Sequence, residues 1–287
     1  MKIGFIGLGN MATAIIGGLL REGASGCPAG SGETGGGAQS MLAALTAANI
    51  IGSAKTEKTR QAKAAEFGIA TTADNREASS AADVLVLAVK PVFFPEVIDE
   101  IRDTVREDTL VISIAAGLTL KRIAELFGRD TASMRLIRCM PNTPALVNAG
   151  CTAVVPGPGA TEADEALCLQ LMESFGRAIV IPERLMDAAS AVAGSSPAFA
   201  FMFIEALADG AVAAGMPRAQ AYEFAAAAVA GSAQLVLETG RHPGDLKDMV
   251  CSPGGTTIEG VRALEEGAFR AATMNAVAAC VQKAKTL

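Results

Sequence analysis

Two kinds of stretch in this chain combine residue types and spacing that suit chemistry. The first is SPGGTTIEG (252–260), where Pro253, Gly254 and Gly255 break the chain and Thr256 and Thr257 open an apolar helical pattern. The first N–H groups of a helix lack partners inside it and lie at the positive end of its dipole, so such a mouth suits an anion such as a carboxylate. Ser195-Ser196-Pro197 reads as a second mouth, with a hydroxyl cap ahead of a Pro at the first helical position. The second stretch is GLGNMA (7–12), between an apolar strand pattern and a helical one. In that context Gly7 permits a tight turn, Gly9 lets backbone approach a pyrophosphate, and small Ala12 allows close packing.

The tip of the next strand selects the dinucleotide. An NAD site usually carries Asp or Glu there, for the ribose hydroxyls. This chain carries Gly52-Ser53-Ala54-Lys55-Thr56, followed by Lys58 and Arg60. A hydroxyl and cations without a carboxylate favour a 2′-phosphate, so NADP(H) is the preferred cofactor and NAD(H) an accepted alternative. Three further strand ends, at Ala88-Val89-Lys90-Pro91, Ile114-Ala115-Ala116-Gly117 and Cys139 to Pro144, leave main-chain groups open on the same expected edge.

These loops require a scaffold. Strand patterns fall at 2–7, 49–53, 84–89, 109–115 and 135–140, with helical patterns at about 10–22, 56–67, 92–103 and 119–128 between them. VLVLAV (84–89) is apolar throughout, as in strands covered on both faces. The alternation predicts an α/β fold whose N-terminal part is a doubly wound, Rossmann-like parallel sheet. A strand pair at 151–156 and 177–182 follows, and the pattern then turns helical, breaking at 194–197, 215–217, 239–244 and 252–255. The expected domains are therefore a dinucleotide-binding domain over 1–182 and an all-α substrate and dimerisation domain over 183–287. Ala-rich helices such as 225–237 carry more apolar surface than one small bundle hides, which predicts an obligate dimer with interlocked helices. GASGCPAGSGETGGG (23–37) lacks periodicity and reads as a mobile surface insertion.

Composition excludes other classes. The chain has 287 residues, a net charge of −6 and no basic run, which argues against a nucleic-acid partner. Its six cysteines form no C-x-x-C pair and it has one His, so no metal-ligand spacing occurs, and buried reduced thiols are expected. The most apolar stretch, 198–216, carries Glu205 and Asp209 one helical turn apart, which favours a buried or interfacial helix over a membrane span. Met1-Lys2 leads directly into the strand that bears Gly7, so no cleaved leader and a cytoplasmic location are expected.

With these residues in view, the chain resembles the pyrroline-5-carboxylate reductase family. The likeness rests on IGFIGLGNMATAI (3–15), LAVKP (87–91), SIAAGLT (113–119), IRCMPNTPALVNAG (137–150), GSSPAFAF (194–201), ADGAVAAGMPR (208–218) and HPGDLKDMVCSPGGTTIEG (242–260). PGGTT in a helical C-terminal domain is its most diagnostic part. The resemblance implies NAD(P)H-dependent reduction of the C=N bond of 1-pyrroline-5-carboxylate to L-proline, the last step of proline biosynthesis. It also implies a homodimer interlocked through C-terminal helices, with a decamer of dimers among the assemblies it allows.

Carried over residue by residue, the resemblance gives cofactor roles to Ile6, Gly7, Leu8, Gly9, Asn10, Met11, Ser53, Ala54, Lys55, Asn75, Ala88, Val89, Lys90 and Ala116. Substrate roles fall on Glu183, Ser195, Ser196, Gly255, Thr256 and Thr257. Thr257 is the catalytic candidate, through contact of its hydroxyl with the ring nitrogen. Ser196 stands where the family usually has Gly, and Met249 where relatives are often polar. Hydride delivery to an imine needs positioning more than acid–base groups, which fits a chain whose lone His242 lies in a turn.

Two other readings compete. A β-hydroxyacid dehydrogenase shares a doubly wound domain and a helical tail but uses a Lys on a second-domain helix, and no Lys occurs from Ile181 to Gly244. A non-catalytic NADP(H) sensor would have no use for a carboxylate-binding helix mouth.

Overall fold

The computed structural model describes residues 1–25, 42 and 44–285, without the side chains of 22–25. The insertion expected at 23–37 lies outside the described residues from residue 26 onward, as does Cys27. In chain order the first unit contains β1 (Ile3–Ile6), α1 (Asn10–Ser25), β2 (Ile50–Ser53), α2 (Glu57–Phe67), β3 (Ala70–Thr72), α3 (Asn75–Ser80), β4 (Val84–Leu87), α4 (Phe94–Ile101), β5 (Leu110–Ser113), α5 (Leu120–Leu126), β6 (Leu136–Met140), β7 (Gly150–Pro156), α6 (Glu162–Glu173), β8 (Gly176–Val180) and α7 (Met186–Ala189). The strands form an eight-stranded sheet of order β3-β2-β1-β4-β5-β6-β7-β8. Successive side chains alternate between its faces: Ile3 and Phe5 pack with α1 and α6 on one side, while Ile6, Leu85 and Leu87 pack with α4 and α5 on the other.

The sheet is not wholly parallel. β7 runs antiparallel to β6, because the link 141–149 is too short to hold a crossover helix. Three elements escaped the sequence reading. β3 is a three-residue strand, and α3 is a short polar helix capped by Asp74, whose carboxylate accepts from Arg76 N at 2.8 Å. α6 separates the two strands at 151–156 and 177–182, which nevertheless pair, in parallel. It starts at a capping box in which Thr161 and Asp164 exchange hydrogen bonds, and buried Asp164 also accepts from Arg135 Nε at 3.0 Å. Burial pushes the Asp164 carboxyl up, but hydrogen bonds from Arg135 and Thr161 outweigh it and hold the group below its ordinary value.

Compact packing divides the chain at Gly194, beyond the 182/183 boundary at which the sequence changes character. Met186 explains the difference: it is buried in the sheet-side core, beside Ile181 and Ala189. The second unit, Ser195–Lys283, holds α8 (Ser196–Ala213), α9 (Arg218–Thr239), α10 (Pro243–Val250), α11 (Thr256–Glu266) and most of α12 (Phe269–Ala284). Within it α8 and α9 pack through Ala208, Ala221 and Ala225, whose small side chains let helices approach closely. Large apolar groups such as Phe201, Met202, Phe224 and Met274 stay exposed on its surface.

The run Glu183–Ala213 is long and apolar enough, by length and composition, to cross a membrane. The described cysteines are all free. Cys139 and Cys168 are buried with their sulfurs 3.5 Å apart, while Cys151, Cys251 and Cys280 are half-buried instead of buried as expected.

The Thr152 hydroxyl on β7 is fully buried without a hydrogen-bond partner among the described residues. An orphaned buried polar group costs on the order of 1 kcal/mol. Thr152→Val should therefore raise the urea midpoint by about that free energy at constant slope. A lower midpoint would show that the hydroxyl is satisfied in solution.

Candidate active site

The first half of the site is built by register. β1, β2, β4 and β5 are parallel, so Ile6 stands beside Ser53 and Leu87, and Leu87 beside Ser113. Their last residues form one row, and the loops that follow emerge at one edge. β1 lies at the point where the chain, after building outward through β2 and β3, returns to the other side with β4. Open sheets of this kind bind ligands at that point.

The two glycines after β1 do different work. Gly7 has φ +96°, donates its N–H to Ser53 O at 3.0 Å, and sits so close to the segment after β4 that an added Cβ would lie 2.9 Å from Val89 Cγ1. A Cβ at Gly9 would meet nothing within 4 Å. That open space lies at the start of α1, over fully buried Ala12, and matches a cradle for a pyrophosphate. Ile6 and Leu8 are buried, Leu8 lying against Gly52, which leaves only main chain for a ligand there, while Asn10 is exposed.

At the tip of β2 the expected groups are present in a different arrangement. The Ser53 hydroxyl is buried and donates to Asn75 Oδ1 at 2.6 Å, so it does not face a ligand as a free donor. Asn75, the first residue of α3, donates through Nδ2 to Glu100 Oε2 at 2.7 Å. Arg60 Nη1 donates to the carbonyls of Ala54 and Lys55, at 2.8 and 3.0 Å, and thereby holds the loop. Lys55 is exposed, with Nζ 3.3 Å from Glu96 Oε1 and 5.5 Å from the centre of the Phe93 ring. The loops after β4 and β5 complete the edge. Ala88 and Val89 are half-buried, whereas Lys90 and Ala116 are exposed, Ala116 just ahead of Gly117 with φ +77°.

The residues expected at the substrate are less uniform. Oε1 of Glu183 accepts from Leu120 N at 2.8 Å, at the start of α5, and from buried Arg138 Nη1 at 3.2 Å. It therefore ties α5, β6 and the segment after β8 together. The expected helix mouth at Ser195-Ser196-Pro197 is corrected: Ser195 has helical φ/ψ and makes no side-chain cap, and α8 continues from a π-helical turn over Ser190–Ser195. Pro197 has no N–H for the carbonyl four residues back, that of Ala193, and Asn142 Nδ2 donates to it at 2.9 Å instead. Asn142 also accepts from Cys151 N at 2.8 Å. Its place after β6 was visible in sequence, but its role as a brace was not.

In the second unit the expected mouth is present. Gly255 N donates to Ser252 O at 3.0 Å and Gly254 has φ +66°, a Pro-Gly turn of type II that delivers the chain into α11. The N-cap is Gly255, which has no side chain to occupy the first amides, whereas α2, α5 and α6 are capped by Thr56, Thr119 and Thr161. Thr256 and Thr257 are exposed, and their hydroxyls make no hydrogen bond among the described residues. His242 is a structural cap, its Nδ1 accepting from Gly244 N at 3.0 Å. No group of residues that could hold a metal occurs among the described residues.

Comparisons with known proteins give the family. Residues 183–287 match a family described as pyrroline-5-carboxylate reductase dimerisation, and residues 2–117 one described as NADP oxidoreductase, coenzyme F420-dependent. The chain is 48% identical to pyrroline-5-carboxylate reductase of Escherichia coli K12, over 100% of this chain and 98% of that one. Among solved structures it is similar to a pyrroline-5-carboxylate reductase of Coxiella burnetii, with a TM-score of 0.87, 32% identity and 99% and 97% of the two chains covered. It is also similar to the pyrroline carboxylate reductase of Plasmodium falciparum with NADP bound, with a TM-score of 0.81, 28% identity, and 100% and 97% covered.

The two glycines give a paired test. Gly9→Ala should leave the melting temperature within about 1 °C and raise the Kd for NADPH by at least about tenfold, because its Cβ enters the cradle and meets no protein atom within 4 Å. Gly7→Ala should lower the melting temperature by about 5 °C through left-handed strain and overlap with Ala88 and Val89. The reverse pattern would contradict the division of labour.

Proposed function

The chain belongs to the pyrroline-5-carboxylate reductase family, and from that premise we propose which residues perform its reaction. The enzyme is an NADP-dependent oxidoreductase that reduces the C=N bond of 1-pyrroline-5-carboxylate to give L-proline, with NADPH preferred and NADH accepted. The bound dinucleotide supplies the hydride. In this reading the start of α1, with Gly7, Gly9, Asn10 and Met11, holds the pyrophosphate on main-chain amides and the helix dipole. Ser53, Ala54, Lys55 and Asn75 serve the adenosine ribose and its 2′-phosphate, with Arg60 bracing the loop. Main chain at Ala88, Val89, Lys90 and Ala116 borders the nicotinamide end.

The observation that carries the substrate end is the side-chain-free cap at Gly255. It leaves the first amides of an eleven-residue helix, α11, open to a carboxylate, with the Thr256 hydroxyl beside them. Thr257 is the catalytic candidate: its hydroxyl hydrogen-bonds the ring nitrogen, and the iminium arrives protonated from solution. Ser195, Ser196 and Glu183 complete the proposed substrate set. The Glu183 carboxylate acts through its bonds to α5 and Arg138.

The enzyme is a homodimer through its 183–287 segment. Exposed Phe201, Met202, Phe224 and Met274 on the helical unit support burial against a second copy, in preference to lipid. We propose that dimer as the repeating unit of any larger assembly, the decamer of dimers included, and the cytoplasm as its location, which suits the five free thiols among the described residues.

The test is NADPH consumption by the purified protein with racemic pyrroline-5-carboxylate, scored by proline formed. Turnover with that substrate and none with 3-hydroxy acids and NADP⁺ is expected, and the opposite outcome would sink the reading. Thr257→Val should lower kcat/KM by about tenfold, the worth of one hydrogen bond in the transition state. A change within about twofold removes Thr257 from the mechanism.

A further inference from the structure

The hydrogen bonds at the tip of β2 form a chain whose direction one residue decides. Ser53 Oγ lies 2.6 Å from Asn75 Oδ1 and 3.4 Å from Phe5 O. Asn75 Nδ2 lies 2.7 Å from Glu100 Oε2. Ser53 alone permits either orientation of the Asn75 amide. Its hydroxyl can give its proton to Oδ1, or accept from Nδ2 while giving its proton to the Phe5 carbonyl. Glu100 removes that freedom, because an ionised carboxylate only accepts, and Oδ1 turned toward it would set two acceptors face to face. The far end is anchored as well: Arg76 Nε donates to the backbone carbonyl of Glu100 at 3.0 Å, holding the last turn of α4 against α3.

We infer that Glu100 is a positioning residue that fixes the donor–acceptor polarity of the Ser53–Asn75 pair and thereby favours a 2′-phosphate over a 2′-hydroxyl. The inference rests on the assignment of Ser53 and Asn75 to the cofactor made above. With the chain fixed, the Ser53 proton is committed to Asn75, and the second Nδ2 hydrogen, which Glu100 does not use, is the donor left to the pair. Phosphate oxygens only accept, so their binding depends on which end of the amide is presented. A ribose hydroxyl both donates and accepts, so NADH tolerates either orientation. The preference for NADPH thus depends in part on a carboxylate that, by charge alone, disfavours a phosphate.

The measurement is the Kd for NADPH and for NADH, by fluorescence titration of the full-length protein and its variants. Glu100→Gln keeps the shape of the side chain but both donates and accepts, so it releases the amide. The expected result is a rise of about fivefold in the Kd for NADPH, with the Kd for NADH within about twofold and the melting temperature unchanged. In an Asn75→Ala background the same substitution should no longer weaken NADPH, because only the loss of the carboxylate charge then remains, and that loss favours a phosphate. An unchanged or tighter Kd for NADPH on Glu100→Gln in the native background, an equal weakening of both cofactors, or a weakening of NADPH by Glu100→Gln in the Asn75→Ala background would each overturn the inference. If Asn75→Ala alone leaves the Kd for NADPH unmoved, the cofactor assignment of Asn75 itself fails. If Asn75→Ala weakens NADPH and Glu100→Gln does not, only the role of Glu100 fails.

Discussion

Parallel, in-register pairing of four strands is the constraint on which the dinucleotide half of the site depends. Because Ser53, Ile6, Leu87 and Ser113 end their strands side by side, residues far apart in sequence are delivered to one edge. The apolar cores on both faces hold those strands in place, and a slip of one residue would exchange the faces of every side chain on the strand. Local chemistry then refines the edge. Gly7 turns the chain beneath Val89, Gly9 leaves space at a helix start, and Arg60 holds the carbonyls of the next loop.

The helical unit obeys a different economy of polar groups. A helix start is useful to a ligand only while its amides are not occupied by the protein. The caps at Thr56, Thr119 and Thr161 use such amides structurally, whereas the Gly255 cap leaves them open. At the other candidate mouth the chain runs on helically, and the carbonyl left unbonded by Pro197 is taken by Asn142. Ser195 and Ser196 therefore belong to a braced turn inside a helical run, while Thr256 and Thr257 belong to an open start. That contrast is why α11 is the proposed anchor for a carboxylate.

Much of this was legible in the sequence where the governing physics is local. The glycine spacing at 7–12, the unbroken apolar strand 84–87 and the Pro-Gly-Gly turn each declare their geometry within a few residues. What was not legible depends on distant partners. The Ser53 hydroxyl reads as a free cofactor ligand until Asn75, 22 residues away, is seen to accept its proton. Glu100 reads as one charge on an amphipathic helix. The antiparallel β7 follows from the length of its link, which composition does not reveal, and the short polar β3 and α3 lack the periodicity that exposes longer elements. The two hydroxyls and the proline at 195–197 mimic a cap because the π-helical turn over Ser190–Ser195 that runs into α8 leaves no distinctive pattern of residues.

Amide hydrogen exchange, followed by mass spectrometry with and without saturating NADPH, tests the central claim most directly: that one edge of the sheet holds the dinucleotide. Slower exchange is predicted for backbone amides in 6–11, 53–55, 88–90 and 115–117, the loops that leave the ends of β1, β2, β4 and β5. No slowing in these segments, or slowing confined to the opposite edge where β1, β4 and β5 begin, would contradict it.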